Sequence, residues 1–165
     1  IHGRVEGDSL TDDFGEYMVS DTALCALEKL FGHVKAPLAE LIKARVSGNE
    51  GFDFHTECKK NTISFGEAKY SGSESPYSNA LSQIKDFIEL EKDVAELVII
   101  ENFVSEKAAL NCVEGTKSYA AAFSINAKNP DLVIKNALTS KHAKSLLDHC
   151  GLYIIGVEVH DQKLD

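Results

Sequence analysis

Two carboxylates and one lysine near the middle of the chain have the types and spacing that phosphodiester hydrolysis requires. Asp53 is followed by Glu67, and Lys69 comes two positions after Glu67. Hydrolysis needs an activated water and a charge that stabilises the phosphate oxygens in the transition state, and Mg²⁺ can provide both. Because Mg²⁺ keeps several waters, two or three converging carboxylates are enough to bind it. The pattern predicts catalytic roles for these three residues, with Asp53 and Glu67 as metal ligands.

Residues 63–69 are predicted to form a strand that carries two of these side chains on one face. Side chains alternate along a strand, so Ile63, Phe65, Glu67 and Lys69 point the same way. An apolar row that runs into two charges indicates a partly buried site, whereas an exposed polar face with a cross-strand ion pair is the alternative. Lys69 would orient the attacking water, and its pKa is open to depression if the side chain is partly buried.

Residues 52–57 are predicted to form the neighbouring strand, joined to the next by a turn of Lys and Asn residues. Alternation predicts Phe52 and Phe54 on one face, and Asp53 and His55 on the other. Asp53 can then lie beside the carboxylate of the next strand and share a metal with it. His55 could contact a phosphate or a metal-bound water, or it could be a hydrogen-bonded structural histidine.

The other segments alternate between helical and strand patterns. A helix is predicted from Thr11 to Gly32, and its predicted apolar side consists of Phe14, Met18, Leu24, Leu27 and Phe31. Pro76 begins a helix that runs to about residue 91, and Gln83 lies at the edge of its apolar stripe, where it could reach the site or cap a sheet edge. Further predictions are a turn over residues 47–51, an apolar strand over 96–103, a helix over 129–150 capped by Asn129 and a strand over 152–159, while 36–46 and 105–128 fit either element.

This order of elements predicts one α/β domain. A helix, a hairpin-like strand pair, and then alternating helices and strands imply a mixed central sheet with helices on both faces. The chain has 165 residues, of which 44% are hydrophobic and 26% are charged, so its composition is globular and its length fits one core. We therefore treat residues 1–165 as a single domain.

Several classes of protein are disfavoured by the composition. The chain has no glycine-rich phosphate loop, no CxxC pair and no apolar run long enough to suggest a membrane span. It begins without Met or an apolar signal core, so we expect a fragment of a longer, cytoplasmic protein. The net charge of −9 argues against a passive nucleic-acid binder, although a bound metal or a separate partner would offset it.

The residues around the predicted site resemble the PD-(D/E)XK nuclease superfamily. Residues 51–55 and 63–69 are similar to its D…ExK signature, including the hydrophobic lead into the ExK strand, and Phe52 stands where the signature usually has Pro. The following helix with Gln83 and the apolar segment at Leu97 also fit the superfamily order. Within the superfamily, Asp-Phe-His and Phe-Gly-Glu-Ala-Lys most resemble the nuclease subunit of the Hachiman anti-phage defence system.

The resemblance implies a restriction-endonuclease-like αβββαβ core and cleavage of DNA that depends on Mg²⁺, with Mn²⁺ able to replace it. It implies metal ligation by Asp53, Glu67 and the backbone carbonyl of Ala68. Such nucleases often take a third acidic ligand from the first helix, and Glu16 is the candidate, although a solvated glutamate favoured by the helix dipole is equally open. The Hachiman likeness adds a helicase partner, and many nucleases of this superfamily act as homodimers.

Three functions therefore stay open. The first is a DNA nuclease in anti-phage defence or restriction. The second is a non-catalytic interaction module on the same fold that serves a helicase or another partner, since a fold does not determine a function. The third is an RNA nuclease with the same site, which ranks lower because the sequence lacks an evident aromatic stacking platform.

Overall fold

A computed structural model describes residues 8–42, 51–147 and 151–159 of the chain. Its strands form one mixed, open sheet in which they lie in sequence order, with the first three antiparallel and the last three parallel. The predicted α/β class with a mixed central sheet is therefore confirmed. The strands are β1 (Val34–Lys35), β2 (Phe54–Glu57), β3 (Ile63–Lys69), β4 (Lys117–Ile125) and β5 (Gly151–Glu158).

Helices cover both faces of this sheet. The first helix, α1 (Asp8–Ala26), packs on one face, where Val19 and Ala23 meet Ala120 and Ala122 of β4. The helices from Tyr77 onward pack on the opposite face. Within the described ranges, no helix is long and apolar enough to cross a membrane. The helices are α1 (Asp8–Ala26), α2 (Ala39–Ile42), α3 (Tyr77–Glu89), α4 (Lys92–Ile100), α5 (Glu106–Val113), α6 (Pro130–Thr139) and α7 (Lys141–Leu147).

The first helix ends as predicted, and it buries only part of its predicted apolar side, namely Leu24 and Leu27. It continues through a π-helical turn at Leu27–Phe31 and ends at Gly32, whose φ of 66° is left-handed and suits glycine. Its buried side contains small residues, because the alanines of β4 let the helix approach the sheet closely. The spacing of large apolar residues does not reveal such a side. The predicted apolar residues Phe14, Met18 and Phe31 are each more than half exposed.

The prediction of an apolar strand over residues 96–103 is wrong, because the helix α4 occupies most of this segment. Its buried residues recur at spacings of three and four, as expected of a helix. Its exposed side is also aliphatic, so the sequence shows an unbroken apolar run that is typical of a buried strand. The strand that follows the helices on this face is β4, in a segment that the sequence left open. The buried residues of α4 are Asp93, Glu96, Leu97 and Ile100.

The predicted helix over residues 129–150 is two helices, α6 and α7. Asn129 caps α6 as predicted, because its side chain accepts a hydrogen bond from the Leu132 amide at 3.1 Å. Ser140 interrupts the helix and accepts a hydrogen bond from the Ala143 amide at 3.1 Å, so it caps the second helix. Residues 148–150 and 43–50, which include most of the predicted turn at 47–51, lie outside the described residues.

A buried carboxylate joins β2 to the start of α5. Glu57 accepts hydrogen bonds from the Ser105 amide at 2.7 Å, the Ser105 hydroxyl at 2.6 Å and the Asn61 side chain at 3.2 Å. Ser105 in turn caps α5 by accepting from the Ala108 amide. Burial would raise the pKa of Glu57, but the hydrogen bonds outweigh it, so this pKa lies below its ordinary value of 4.5. The ionised form of Glu57 therefore stabilises the fold.

We expect Glu57→Gln to lower the free energy of unfolding by about 1–2 kcal/mol at neutral pH, because charged hydrogen bonds to Ser105 are lost. The pKa of Glu57 is lower in the folded protein, so its contribution is present above pH 4.5 and is lost as the pH falls through the folded-state pKa. Urea unfolding at several pH values measures this difference. The exposed Glu74→Gln is the control; equal effects of both variants at neutral pH would contradict the assignment.

Candidate active site

β3 lies in the middle of the sheet and carries Glu67 and Lys69 at its C-terminal end. Ile63 and Phe65 precede them on the same face and are fully buried. The side chain of Glu67 is 1% exposed, and that of Lys69 is 20% exposed. The apolar row therefore does lead into charges that are shielded from water.

Asp53 reaches β3 through a one-residue irregularity opposite Gly66. Gly66 pairs with Phe54, and its carbonyl also accepts a hydrogen bond from the Asp53 amide at 2.8 Å. Two residues thus lie opposite one, which is the arrangement of a β-bulge. The carboxylate of Asp53 accepts a hydrogen bond from the Ala68 amide at 2.8 Å through Oδ2. A Cβ at position 66 would overlap the ring of Phe54, so the position of this ring requires glycine there.

The same irregularity makes the predicted alternation of the first strand wrong. Phe52 packs on the face of α3 and α4, with its ring centroid 5.3 Å from that of Phe65. Phe54 packs on the opposite face, against α1. His55 lies on the Phe52 face, with its ring centroid 5.4 Å from Phe65. The extra residue of the bulge shifts the alternation by one position, which a simple period of two cannot predict.

The first helix brings a third carboxylate to the cluster. Lys69 Nζ lies 3.0 Å from Glu67 Oε1 and 3.2 Å from Glu16 Oε1. α1 approaches the end of β3 closely because residue 15 is glycine, where a Cβ would overlap the ring of Tyr70. Glu16, the next residue, is therefore held over Lys69. The structure thus places the candidate third carboxylate beside the lysine of the ExK segment.

This cluster has more negative charge than its lysine neutralises. Three carboxylates, from Asp53, Glu67 and Glu16, surround one ammonium group, which gives a formal charge of −2 if all are ionised. Burial, and after it the charge of Asp53, raises the pKa of Glu67 well above its ordinary value, although Lys69 opposes the shift. Burial would lower the pKa of Lys69, but the neighbouring carboxylates outweigh it and raise that pKa. Lys69 is therefore protonated, contrary to the predicted depression.

One oxygen of the cluster is buried without a hydrogen bond. Glu67 Oε2 has no partner among the residues that the structure describes. An unsatisfied buried polar atom costs about 1–3 kcal/mol, and more if it is charged. A divalent cation would supply both the missing ligand interaction and the missing positive charge. Oxygen ligands of this kind suit Mg²⁺, so Asp53 and Glu67 could hold it, with Glu16 nearby.

The number of protein ligands available for a metal is small. In the described part of the chain, no three or more His, Cys, Asp or Glu side chains form a group arranged to hold a metal ion. Cys25, Cys58 and Cys112 are not in disulfides and are not part of the cluster. A bound Mg²⁺ would therefore keep several waters, as Mg²⁺ does in many protein sites.

His55, predicted as an accessory residue, makes a polar contact with α4. Its Nε2 lies 2.8 Å from Glu96 Oε2, and the other oxygen of Glu96 accepts from the Phe52 amide at 3.0 Å. His55 is fully buried among aromatic rings. These contacts match the structural interpretation of this histidine, since they join the sheet to a helix.

Gln83, the other accessory candidate, lies on α3 and is half-buried. It lines a shallow pocket of about 360 Å³, together with side chains from the same helix. None of Asp53, Glu67 and Lys69 lines this pocket. The remaining lining residues are Asn79, Ser82, Asp86 and Phe87.

Sequence reasoning missed two residues on which the site depends. Gly15 lets α1 approach β3, and its only sequence signal is a glycine inside a helical pattern, which is costly without a reason. Glu96 anchors His55 and the Phe52 amide, and it was assigned to the wrong element. The sequence does contain a signal for a helix here: Asp93 and Glu96 are three residues apart in an apolar segment, so they lie on the same side of a helix.

We expect Glu67→Gln to stabilise the metal-free protein at neutral pH by roughly 1 kcal/mol, which raises Tm by about 2–4 °C. The substitution removes a buried acid whose ionised form is disfavoured by burial and by the charge of Asp53, while Lys69 keeps Glu16 as its partner. Thermal unfolding in EDTA measures the effect. Glu89→Gln, which removes an exposed partner of Lys85, is the control and should leave Tm nearly unchanged. A lower Tm for Glu67→Gln would contradict the excess of negative charge.

We expect Gly15→Ala to destabilise the protein by about 1–3 kcal/mol, because the added Cβ meets the ring of Tyr70 and pushes α1 away from β3. Denaturant unfolding measures this loss. Gly72→Ala is the matched control, since a Cβ at position 72 has room beside the hydroxyl of Tyr70. Similar stability of both variants would show that α1 does not depend on the close approach.

Comparison with known proteins gives no relative: a scan against family models finds no match, and searches of curated proteins and solved structures find no significant match.

Proposed function

We propose that the chain is a Mg²⁺-dependent nuclease that hydrolyses DNA phosphodiester bonds, with Mn²⁺ able to replace Mg²⁺. The observation that carries this proposal is Glu67, a buried carboxylate with one oxygen on Lys69 and the other without a partner among the described residues. Asp53 adds a second carboxylate, and its charge raises the pKa of Glu67. Two carboxylates and a lysine form the set that metal-assisted hydrolysis of a phosphodiester needs.

The order of the elements supports a restriction-endonuclease-like core. α1 precedes three antiparallel strands, β1 to β3, with the single-turn helix α2 between β1 and β2, and helices then lead to β4, which is parallel to β3. This order is consistent with the αβββαβ pattern that the resemblance of the D…ExK segments implies. The strand after the helices is β4 and not the segment at Leu97, so the resemblance of that segment adds no support.

The residues of the cluster would share the chemistry as follows. Asp53 and Glu67 would hold the metal, Glu67 through the oxygen that is otherwise buried without a hydrogen bond. When bound, Mg²⁺ would activate water and offset the charge on the phosphate. Lys69 is protonated beside Glu67 and Glu16, so it can orient the attacking water and stabilise negative charge, but it cannot accept the proton of that water.

The charge of the chain bears on how it would meet DNA. A net charge of −9 gives little attraction to phosphates. A partner that carries the DNA would remove this difficulty, and the Hachiman likeness favours a helicase in anti-phage defence for that role. This part of the proposal rests on the resemblance of Asp-Phe-His and Phe-Gly-Glu-Ala-Lys, and it is separate from the chemistry of the cluster.

We expect the chain to cut DNA with Mg²⁺ or Mn²⁺ and not in EDTA, and Glu67→Gln and Lys69→Met each to reduce the rate by at least about 100-fold. The assay compares four substrates: end-labelled linear duplex DNA, supercoiled circular duplex DNA, single-stranded DNA and single-stranded RNA. The comparison identifies the preferred nucleic acid, and cleavage of the circular DNA distinguishes attack on internal bonds from attack at ends. Lys85→Met and Glu89→Gln are the matched controls, because they remove an exposed lysine–glutamate pair on α3 and should retain full activity.

The response of Tm to Mg²⁺ separates binding from catalysis. Mg²⁺ that binds the folded state raises Tm by mass action, and we expect this rise in the unaltered chain but not in Glu67→Gln. Cleavage that survives both Glu67→Gln and Lys69→Met would overturn the proposed nuclease. Mg²⁺ binding without cleavage of any substrate would favour the non-catalytic module, and cleavage of RNA alone would change the substrate.

A further inference from the structure

Two neighbouring contacts join α1 to the end of β3. Gly15 lies so close to the ring of Tyr70 that a Cβ at position 15 would overlap it. The next residue of the helix, Glu16, contacts the residue before this tyrosine, because its Oε1 lies 3.2 Å from Lys69 Nζ. One register of the helix against the strand therefore makes both contacts, and the close approach at Gly15 places Glu16 over the lysine.

The ammonium of Lys69 contacts a carboxylate from each of two elements. Its Nζ lies 3.0 Å from Glu67 Oε1 on β3 and 3.2 Å from Glu16 Oε1 on α1. A lysine side chain is long and flexible, so it loses much rotamer freedom when its end is held in one place. Two anchors restrict the ammonium more closely than Glu67 alone would. The contact with Glu16 thus limits where the positive charge of this site can lie.

The oxygen that is free to meet a metal is not the one that meets the lysine. Glu67 contacts Lys69 through Oε1, whereas its Oε2 has no partner among the described residues. Asp53 is fixed beside Glu67 by the hydrogen bond that its Oδ2 accepts from the Ala68 amide. Glu16 does not join these two carboxylates: the described side chains include no group of three or more His, Cys, Asp or Glu residues that could hold a metal ion. The cluster therefore has a pair of carboxylates for a metal and a separate carboxylate for the lysine.

From this division we propose that Glu16 is a positioning residue, which holds the ammonium of Lys69 from α1. The metal site then consists of Asp53 and Glu67, and it takes a single Mg²⁺. This role differs from that of a third acidic ligand, which the resemblance suggests for the first helix. Because Mg²⁺ bound by two carboxylates keeps most of its waters, a fixed ammonium beside it helps to orient the attacking one. Only this effect on catalysis rests on the proposed nuclease function.

A double-mutant cycle tests the contact between Glu16 and Lys69 in the metal-free protein. Urea unfolding in EDTA compares Glu16→Ala, Lys69→Met and the double variant. We expect the two substitutions to be non-additive by about two- to five-fold in the equilibrium constant of unfolding, because each single change removes the same ion pair. Additive effects would overturn the positioning role.

Isothermal titration calorimetry with Mg²⁺ distinguishes a positioning residue from a ligand. We expect one ion per chain, and Glu16→Gln should keep the dissociation constant within about three-fold, whereas Asp53→Asn should raise it at least about ten-fold. Asp21→Asn is the matched control, because it removes one exposed negative charge from the same helix, five residues beyond Glu16. A second bound ion, or a loss of about ten-fold in Glu16→Gln without a similar loss in Asp21→Asn, would overturn the proposal.

The kinetics of DNA cleavage test the effect on catalysis. Glu16→Ala should lower kcat about 10-fold and leave KM for DNA within about three-fold, because a less restricted ammonium orients the water less often. Glu16→Gln should recover kcat to within about three-fold of the unaltered chain, since its amide oxygen can still accept a hydrogen bond from Lys69. Asp21→Asn should retain full activity.

Equal losses of kcat in Glu16→Ala and Glu16→Gln, or a higher KM with an unchanged kcat, would contradict the positioning role. A chain that binds no Mg²⁺ or cuts no nucleic acid would overturn the proposed function, whereas the double-mutant cycle decides the contact between Glu16 and Lys69 in either case.

Discussion

Two residues, Asp53 and Phe54, lie opposite the single residue Gly66 where β2 meets β3. The bulge turns the Asp53 carboxylate toward the Ala68 amide, next to the buried end of β3. It also sends Phe54 to the face of α1, whereas Phe52 stays on the face of α3 and α4. One irregularity therefore positions a carboxylate of the site and supplies an aromatic residue to the cores on both faces of the sheet.

The cluster at the end of β3 is unfavourable for the stability of the protein by itself. Glu67 is buried beside Asp53, so its ionised form is repelled and poorly solvated. Lys69 compensates in part, and Glu16 from α1 holds the lysine from the other side. Proteins commonly retain such destabilising arrangements where activity requires them. The close approach of α1 at Gly15 keeps the carboxylates together at this cost.

The sequence predicts the regular parts of this structure and misses the parts where local rules are broken. Glu67 and Lys69 were placed on the correct face because β3 follows the period of two throughout. Asp53 was identified by its chemistry, but the bulge changes the face of its neighbours, and nothing in a two-residue period announces an extra residue. The alternation rule fails at the point where the site is built.

α4 and α1 show the second reason for the missed predictions. The apolar side of α4 faces outward and its charged residues are buried, so its sequence resembles a covered strand. On α1, large apolar residues such as Phe14 are exposed while Ala23 is buried, because β4 presents alanines to the helix. Burial in both helices depends on what the opposing element offers, and one segment read alone does not contain that information.

Burial alone does not distinguish a functional carboxylate from a structural one, but the pairing of its oxygens does. Glu57, Asp93 and Glu96 are buried, and in each both oxygens accept hydrogen bonds from the protein. Each of these residues fastens one element to another and leaves no oxygen for a ligand. Glu67 differs because one oxygen meets Lys69 and the other meets nothing among the described residues. The incomplete pairing of Glu67 sets it apart from these three carboxylates, and the proposed binding of a metal rests on this difference.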